Sequence, residues 1–291
     1  MRQLVITVLL TLAAAAAVYS HNKARLMGQP TMTNNPTARL MMTDAGTMRP
    51  MYTYDATKTF VVDRRATDKG TNFLVRGSQP LDAQGNFAYA ELAAALKSQL
   101  NIELANYHLL VVALIHNVRG SSHEDLKREF AAFGMTTTTF DSTFPLSLWP
   151  PYLKGLDLTV QYGTQVAGNR GSIIWYPLQG CKSYDNCQAI EDVEYGFSKL
   201  VDLLSALLDN NQPTVIYVHC TLGNDRVGSL IASYKMKYMG MSLEDTLRVD
   251  APKNGSTAFA QLWDPGSLAL VRWYATTLTT AQVSVNNGGR R

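Results

Sequence analysis

Leu109 to His116 reads Leu-Leu-Val-Val-Ala-Leu-Ile-His, a run with no polar position until its last residue. A strand with one wet face alternates apolar and polar residues, so a run that does not alternate is suited to a strand buried on both faces. Such strands belong to parallel sheets, whose crossovers lay helices on either side. The rest of the chain supplies the alternation this requires. Ser121 to Phe133 is a polar, charged helix opened by Ser121 or Ser122, and Ser172 to Leu178 (Ser-Ile-Ile-Trp-Tyr-Pro-Leu) is a second strand. Ala189 to Leu208 repeats apolar residues at helical spacing through Phe197, Leu200, Val201 and Leu204, and Pro213 introduces the strand Thr214 to His219. Gly228 to Met239 reads as a helix closed by Gly240, Ser242-x-x-Asp245 opens a short one, and Leu268 to Leu278 is the last. This predicts an α/β fold in a single domain, with a central, mostly parallel sheet flanked by helices. Thr136 to Arg170 breaks the alternation and reads as a long insertion or substrate-side loop.

The ends of the chain stand apart from this core. Met1-Arg2-Gln3 is a short positive start, Leu4 to Val18 is apolar except for Thr7 and Thr11, and Val18-Tyr19-Ser20 offers small residues for cleavage, so residues 1–20 read as a secretory signal peptide. An uncleaved membrane anchor is the competing reading, and membrane contact is expected only in that case. Residues 21–60 hold six of the eleven Met among many Thr, Pro and Asn, without helical or strand period, and read as an irregular N-terminal segment. Residues 61–285 form the folded domain, and 286–291 a flexible tail. The destination is secretion or the secretory-pathway lumen, where Asn254-Gly255-Ser256 would be a glycosylation sequon. Lys plus Arg exceed Asp plus Glu by only 26 to 23, with 17% charged residues, which argues against nucleic acid as a partner. Three Cys make neither a disulfide scaffold nor a Cys₄ zinc site, and His108, His116 and His123 have no metal-ligand spacing; no metal and no cofactor are expected.

The chemistry gathers where the strand Thr214–His219 meets the helix from Gly228. The chain there reads His219-Cys220-Thr221-Leu222-Gly223-Asn224-Asp225-Arg226. At the carboxyl end of a strand and the start of a helix, backbone N–H groups converge and the helix dipole adds positive potential, which suits an oxyanion. Gly223 permits a positive φ, and Arg226 can hold two phosphate oxygens in bidentate fashion. Thr221, Leu222, Gly223, Asn224, Asp225 and Arg226 are the expected phosphate-binding residues. The same amide array favours the Cys220 thiolate near neutral pH. Cys220 would attack phosphorus to form a phosphocysteine, which water then hydrolyses.

His-Cys, five residues, Arg in a strand–loop–helix context resembles the cysteine-based protein tyrosine and dual-specificity phosphatase superfamily. The longer string from His219 to Arg248 is most similar to the branch whose loop runs His-Cys-Thr-x-Gly-Lys-Asp-Arg-Thr-Gly. Asn72 to Pro80, with Arg76-Gly77-Ser78-Gln79-Pro80, is similar to the Arg-Ser-Gly-Gln-Pro segment of small atypical dual-specificity phosphatases, and Leu114 to Gly120 sits in the place of their second strand. The resemblance spans Phe73 to Asp250 and implies a phosphotyrosine-phosphatase-like fold. It also implies a general acid, an Asp on a loop about thirty residues before the Cys. Asp185, 35 positions before Cys220, is the candidate, Asp192 the alternative, and a chain without such an acid the third possibility. Two positions depart from the family. Val227 replaces a Ser or Thr whose hydroxyl helps the thiolate leave, so hydrolysis of the intermediate would be slow. Asn224 replaces a Lys, which argues mildly against highly phosphorylated substrates. In the superfamily the His219 side chain points away from the phosphate and orients the loop.

Cys181 and Cys187 flank Asp185, and three readings stay open for them: a local disulfide, a partner that traps Cys220 reversibly, or two inert thiols. The expected activity is a cysteine-dependent phosphatase acting on phosphate monoesters, as phosphotyrosine or phosphoserine/threonine in proteins, with a phosphorylated protein or small phosphate ester as partner. The alternatives are an inositol-phosphate or phosphoinositide phosphatase, and a catalytically impaired pseudophosphatase that binds phospho-ligands.

Overall fold

Along Thr214–His219 (β6) every residue is buried, and successive side chains go to opposite sides. Val215 and Tyr217 enter one apolar cluster, Ile216 and Val218 the other. Both faces are covered, so the strand needs no polar position. The computed structural model, which describes residues 53–115, 121–134, 152–162, 165–176, 178, 181, 187–188, 191, 196–250 and 265–288, sets β6 inside a six-stranded sheet of order β1-β2-β6-β3-β5-β4. Its other strands are Phe60–Thr67 (β1), Gly70–Gly77 (β2), His108–Ala113 (β3), Tyr152–Tyr162 (β4) and Gln165–Trp175 (β5). The four inner strands run parallel, while β1 and β4 are antiparallel edges. The fold is α/β, a mostly parallel sheet with helices on both faces.

One face is covered by Tyr89–Leu100 (α1) and Ser121–Ala132 (α2), whose Leu92, Leu96, Leu126 and Phe130 pack with Val215 and Tyr217. The other is covered by Phe197–Leu208 (α3), Asp225–Tyr238 (α4) and Pro265–Gly288 (α6), through Leu200, Leu204, Leu230, Ile231 and Trp273. The short helix Leu243–Asp250 (α5) adds Leu247 to a satellite cluster with Ala232 and Val271. Its start is set by Ser242, whose Oγ accepts from the Asp245 N–H at 3.0 Å and donates to the Asp245 carboxylate at 2.8 Å. Each fully buried Leu or Val contributes about 2 kcal/mol of transfer free energy, which makes these two layers the main support of the sheet.

Several boundaries differ from the sequence expectation. The stretch Thr136 to Arg170 is not simply a loop: its second half is the β4–β5 hairpin. The pairing slips between Lys154 and Leu158 and again between Thr159 and Gln161, and an irregular edge hairpin carries no clean apolar period to read. The β1–β2 hairpin, also unassigned in the sequence, has a half-buried edge strand whose burial does not alternate cleanly. Helix α4 starts at Asp225, three residues before Gly228, and ends at Tyr238, with Gly240 following at φ +65°. Helix α6 runs on to Gly288, through residues assigned to the tail. Among the described residues no helix is long and apolar enough to cross a membrane.

Asn72 ties the sheet to the α3–β6 turn. Its Nδ2 donates to the carbonyls of Leu208 and Asn210 at 2.9 and 2.6 Å, and its Oδ1 accepts from the Thr214 N–H at 2.8 Å. Asn72→Ala strands these backbone groups in the interior and is expected to cost about 2–3 kcal/mol, read from the urea midpoint.

Candidate active site

Strand β6 ends at His219 and helix α4 begins at Asp225, so residues 220–224 form the tight connection between them. It lies at the carboxyl ends of the parallel strands, where open α/β sheets leave a crevice. Alternation along β6 decides what faces where. His219 follows Val215 and Tyr217 toward α2, whereas Cys220 joins the opposite cluster with Val227 and Ile231. Cys220 is a free thiol, 3% exposed. Gly223 makes the turn possible in two ways. Its φ is +70°, and a Cβ there would lie 2.6 Å from the Gly77 carbonyl oxygen and 2.8 Å from the Ser78 nitrogen. Gly223→Ala is expected to cost about 2 kcal/mol or more in a urea titration, because strain and backbone collision act together.

The loop is pinned from two neighbouring strand ends. At the end of β2, Arg76 Nη2 donates to the Gly223 carbonyl at 2.7 Å, and just beyond the strand the Gln79 N–H donates to the Thr221 carbonyl at 3.2 Å. Beyond β3, the Leu114 N–H donates to the His219 carbonyl at 2.8 Å, while the Leu114 carbonyl accepts from Arg226 Nη1 at 3.1 Å. Arg226 is thus held at the end of β3 by one nitrogen of its fork. The first N–H groups of α4 have no partner within the helix, and the Asn224 side chain does not cap them. A thiol, an arginine and an uncapped helix start at one turn can bind an oxyanion and offer it a nucleophile.

Beneath the loop lies a buried polar group. His219 Nε2 is 2.8 Å from Glu129 Oε2, and Glu129 Oε1 accepts from Gln79 Nε2 at 2.7 Å. The His219 ring stacks on Tyr217, with centroids 5.9 Å apart. Tyr217 donates its hydroxyl to the Ser78 carbonyl at 2.7 Å, and burial pushes this phenol well above its ordinary pKa, so it remains a donor. Gly77 must be glycine here, because a Cβ would sit 2.0 Å from the Tyr217 hydroxyl. Sequence reading missed Arg76, Gln79 and Glu129 as parts of the site. For Glu129 a signal existed: with Leu126 and Phe130 it occupies the apolar stripe of α2, where a carboxylate requires a partner.

Residues 53–59, assigned to the irregular segment, form a strap beside the loop. Ala56–Lys58 is one 3₁₀ turn capped by Asp55, whose carboxylate accepts from the Thr57 N–H at 2.9 Å. The Asp55 N–H donates to Ser78 Oγ at 2.8 Å, and the Tyr54 N–H to the Leu81 carbonyl at 2.7 Å. Tyr54, paired through its hydroxyl with Thr59, has its pKa pushed up to about 12, chiefly by burial. Between the strap and Ser78, Thr221, Leu222 and Asn224 runs an open groove of about 610 Å³. Leu222, 43% exposed, is its apolar feature; Asp55 and Lys58 are its charged ones.

Of the residues singled out from the sequence, Cys220, Thr221, Leu222, Gly223, Asn224, Asp225 and Arg226 therefore share one strand–loop–helix junction. Asp225 is the first residue of α4, and its carbonyl accepts from Ser229 Oγ at 2.9 Å. Val227, fully buried, packs in the cluster that includes Cys220, where it brings a methyl surface and no hydroxyl. Asp185, Asp192, His116 and Asn254 lie outside the described residues, as does the segment 1–52. Cys181 and Cys187 are joined by a disulfide with Cα atoms 5.0 Å apart, and the Cys181 sulfur is 3.8 Å from the Gly266 carbonyl at the start of α6. Among the described residues no group of three or more His, Cys, Asp or Glu could hold a metal.

No protein-family model matches the chain, and no curated protein matches it. Solved structures similar to it include PTPMT1 in complex with PI(5)P, at 14% identity over 72% of this chain and 94% of that one, with a TM-score of 0.34. Pseudomonas aeruginosa TpbA is 14% identical over 71% of this chain and 86% of that one, with a TM-score of 0.33. A PTP-like phytase from Bdellovibrio bacteriovorus is 13% identical over 86% of this chain and 96% of that one, with a TM-score of 0.36.

Proposed function

We propose that the chain is a cysteine-dependent phosphatase that hydrolyses phosphate monoesters through a phosphocysteine. The observation that carries this reading is the junction itself: a free thiol at Cys220, the left-handed Gly223, the uncapped start of α4 and Arg226 within one seven-residue span. In the first step Cys220 Sγ attacks phosphorus and the P–O bond to the leaving group breaks; in the second, water attacks the phosphocysteine and inorganic phosphate leaves with the thiolate restored. Arg226 and the loop amides hold the equatorial oxygens as charge redistributes. Asp185 is the proposed donor of the proton to the leaving oxygen.

The groove supports a singly phosphorylated substrate. Among the described residues its lining offers one cation, Lys58, offset by Asp55, and an exposed Leu222. An inositol polyphosphate needs several cations, whereas a phosphotyrosine or phosphoserine/threonine side chain needs one anion site and a surface for its remainder. The Cys181–Cys187 disulfide supports an oxidising compartment, and with it export directed by residues 1–20.

Val227 supports a second reading in which the second step is impaired. Val227 shares the apolar cluster of Cys220 and has no hydroxyl, so the departing thiolate gains no hydroxyl donor from this position. A fast burst of one phenolate per chain from an aryl phosphate, followed by turnover about tenfold or more slower, is expected, and Val227→Thr is expected to raise the slow rate. Stopped-flow release measured beside a panel of phosphopeptides and inositol phosphates tests both readings. Phosphopeptide turnover supports the protein phosphatase, inositol-phosphate turnover alone would replace that substrate class, and tungstate binding without any release would leave a phosphate-binding module.

A further inference from the structure

We propose that Glu129 and Gln79 are positioning residues that hold the phosphate loop in its anion-binding shape, Glu129 through His219 and Gln79 through both its side chain and its backbone. The inference rests on the reading of residues 220–226 as an oxyanion site. A carboxylate in the interior is expensive unless it has partners: here Oε1 accepts from Gln79 Nε2 at 2.7 Å, and Oε2 lies 2.8 Å from His219 Nε2, close enough to pair with the ring though not aligned as a hydrogen bond. All three side chains are 0–1% exposed. The group is also attached to the loop at two points, and a third contact holds the segment that crosses over it. His219 is the residue before Cys220, and its Nδ1 lies 3.4 Å from the Cys220 carbonyl. The Gln79 N–H holds the Thr221 carbonyl at 3.2 Å. Tyr217, on which the imidazole stacks, holds the Ser78 carbonyl, so residues 77–79 that cross over Gly223 are fixed by the same cluster.

Chain direction explains why the device must come from α2. Strand alternation sends Cys220 to the α4 side and His219 to the α2 side, so the imidazole is the one side chain adjoining the thiol that the opposite helix layer can grip. A carboxylate anchored in a helix packed on the sheet fixes that ring against rotation, and with it the start of the loop. A purely apolar contact would fill the same space without fixing the direction of either ring nitrogen.

The test measures tungstate affinity of the full chain by calorimetry, with thermal unfolding recorded for every variant. Glu129→Gln is expected to raise the tungstate Kd about tenfold or more, and His219→Asn to do the same. The double variant is expected to match either single within about threefold, since both act on one element. A Glu129→Gln protein that unfolds at lower temperature yet binds tungstate like the unaltered chain would overturn the proposal, as would fully multiplicative effects in the double variant. Should Glu129→Gln not fold, Gln79→Met carries the decision: weaker tungstate binding is expected and unchanged binding contradicts it. Because binding is read without turnover, failure of the phosphatase reading, seen as tungstate binding by an unaltered chain that releases no phosphate, stays distinct from failure of this one.

Discussion

Cys220→Ser is expected to lower steady release of phosphate from an aryl phosphate by about 10⁴-fold or more, while leaving tungstate affinity within a few-fold of the unaltered chain. The serine oxygen is nearly isosteric with sulfur, and the loop around it is held by contacts that do not use the thiol: Arg76 on Gly223, Gln79 on Thr221 and Leu114 on His219. The anion site should therefore survive the substitution while the nucleophile does not. A hydroxyl at this position has no adjoining general base among the described residues, because His219 faces the other side of the sheet and is engaged by Glu129. Phosphate release that persisted in Cys220→Ser would mean that water is activated elsewhere.

Arg226→Lys is expected to reduce kcat/KM by about 10²- to 10³-fold, with the loss shared between weaker tungstate binding and a lower kcat. The charge is retained, so any loss reports geometry. In the native arrangement one guanidinium nitrogen is tied to the Leu114 carbonyl at 3.1 Å, which aims the fork while its remaining donors stay available to an anion. A lysine has a single ammonium and must choose between that carbonyl and the phosphate. An Arg226→Lys chain with unchanged kcat/KM would place the anion elsewhere.

Much of this arrangement could be read from the sequence, for specific reasons. β3 and β6 are buried on both faces and so lack the alternation of polar and apolar residues, which is visible as runs such as Thr-Val-Ile-Tyr-Val-His. The loop residues carry their chemistry in their identities, and Gly223 marked the turn by its type. What escaped was whatever depends on partners distant in sequence. Glu129 meets His219 from 90 positions away, and Arg76 meets Gly223 across 147. Nothing local in Lys127-Arg128-Glu129-Phe130 names an imidazole as the partner, although the carboxylate's place on an apolar stripe announced that one must exist. The strap at 53–59 was hidden for another reason: it is held by backbone donors and one Asx cap, which leave no hydrophobic period. The β4–β5 hairpin was lost because slips in register destroy alternation.

Phosphate is expected to pass through the Cys220 sulfur. Acid quenching of the chain during turnover of an aryl phosphate, followed by mass spectrometry of its peptides, measures this directly. One added phosphoryl group is expected on the peptide containing Cys220, at its highest occupancy in the slow phase expected from Val227, and none in Cys220→Ser. Continued turnover with no phosphoryl group on that peptide, or with the group on another residue, would contradict it.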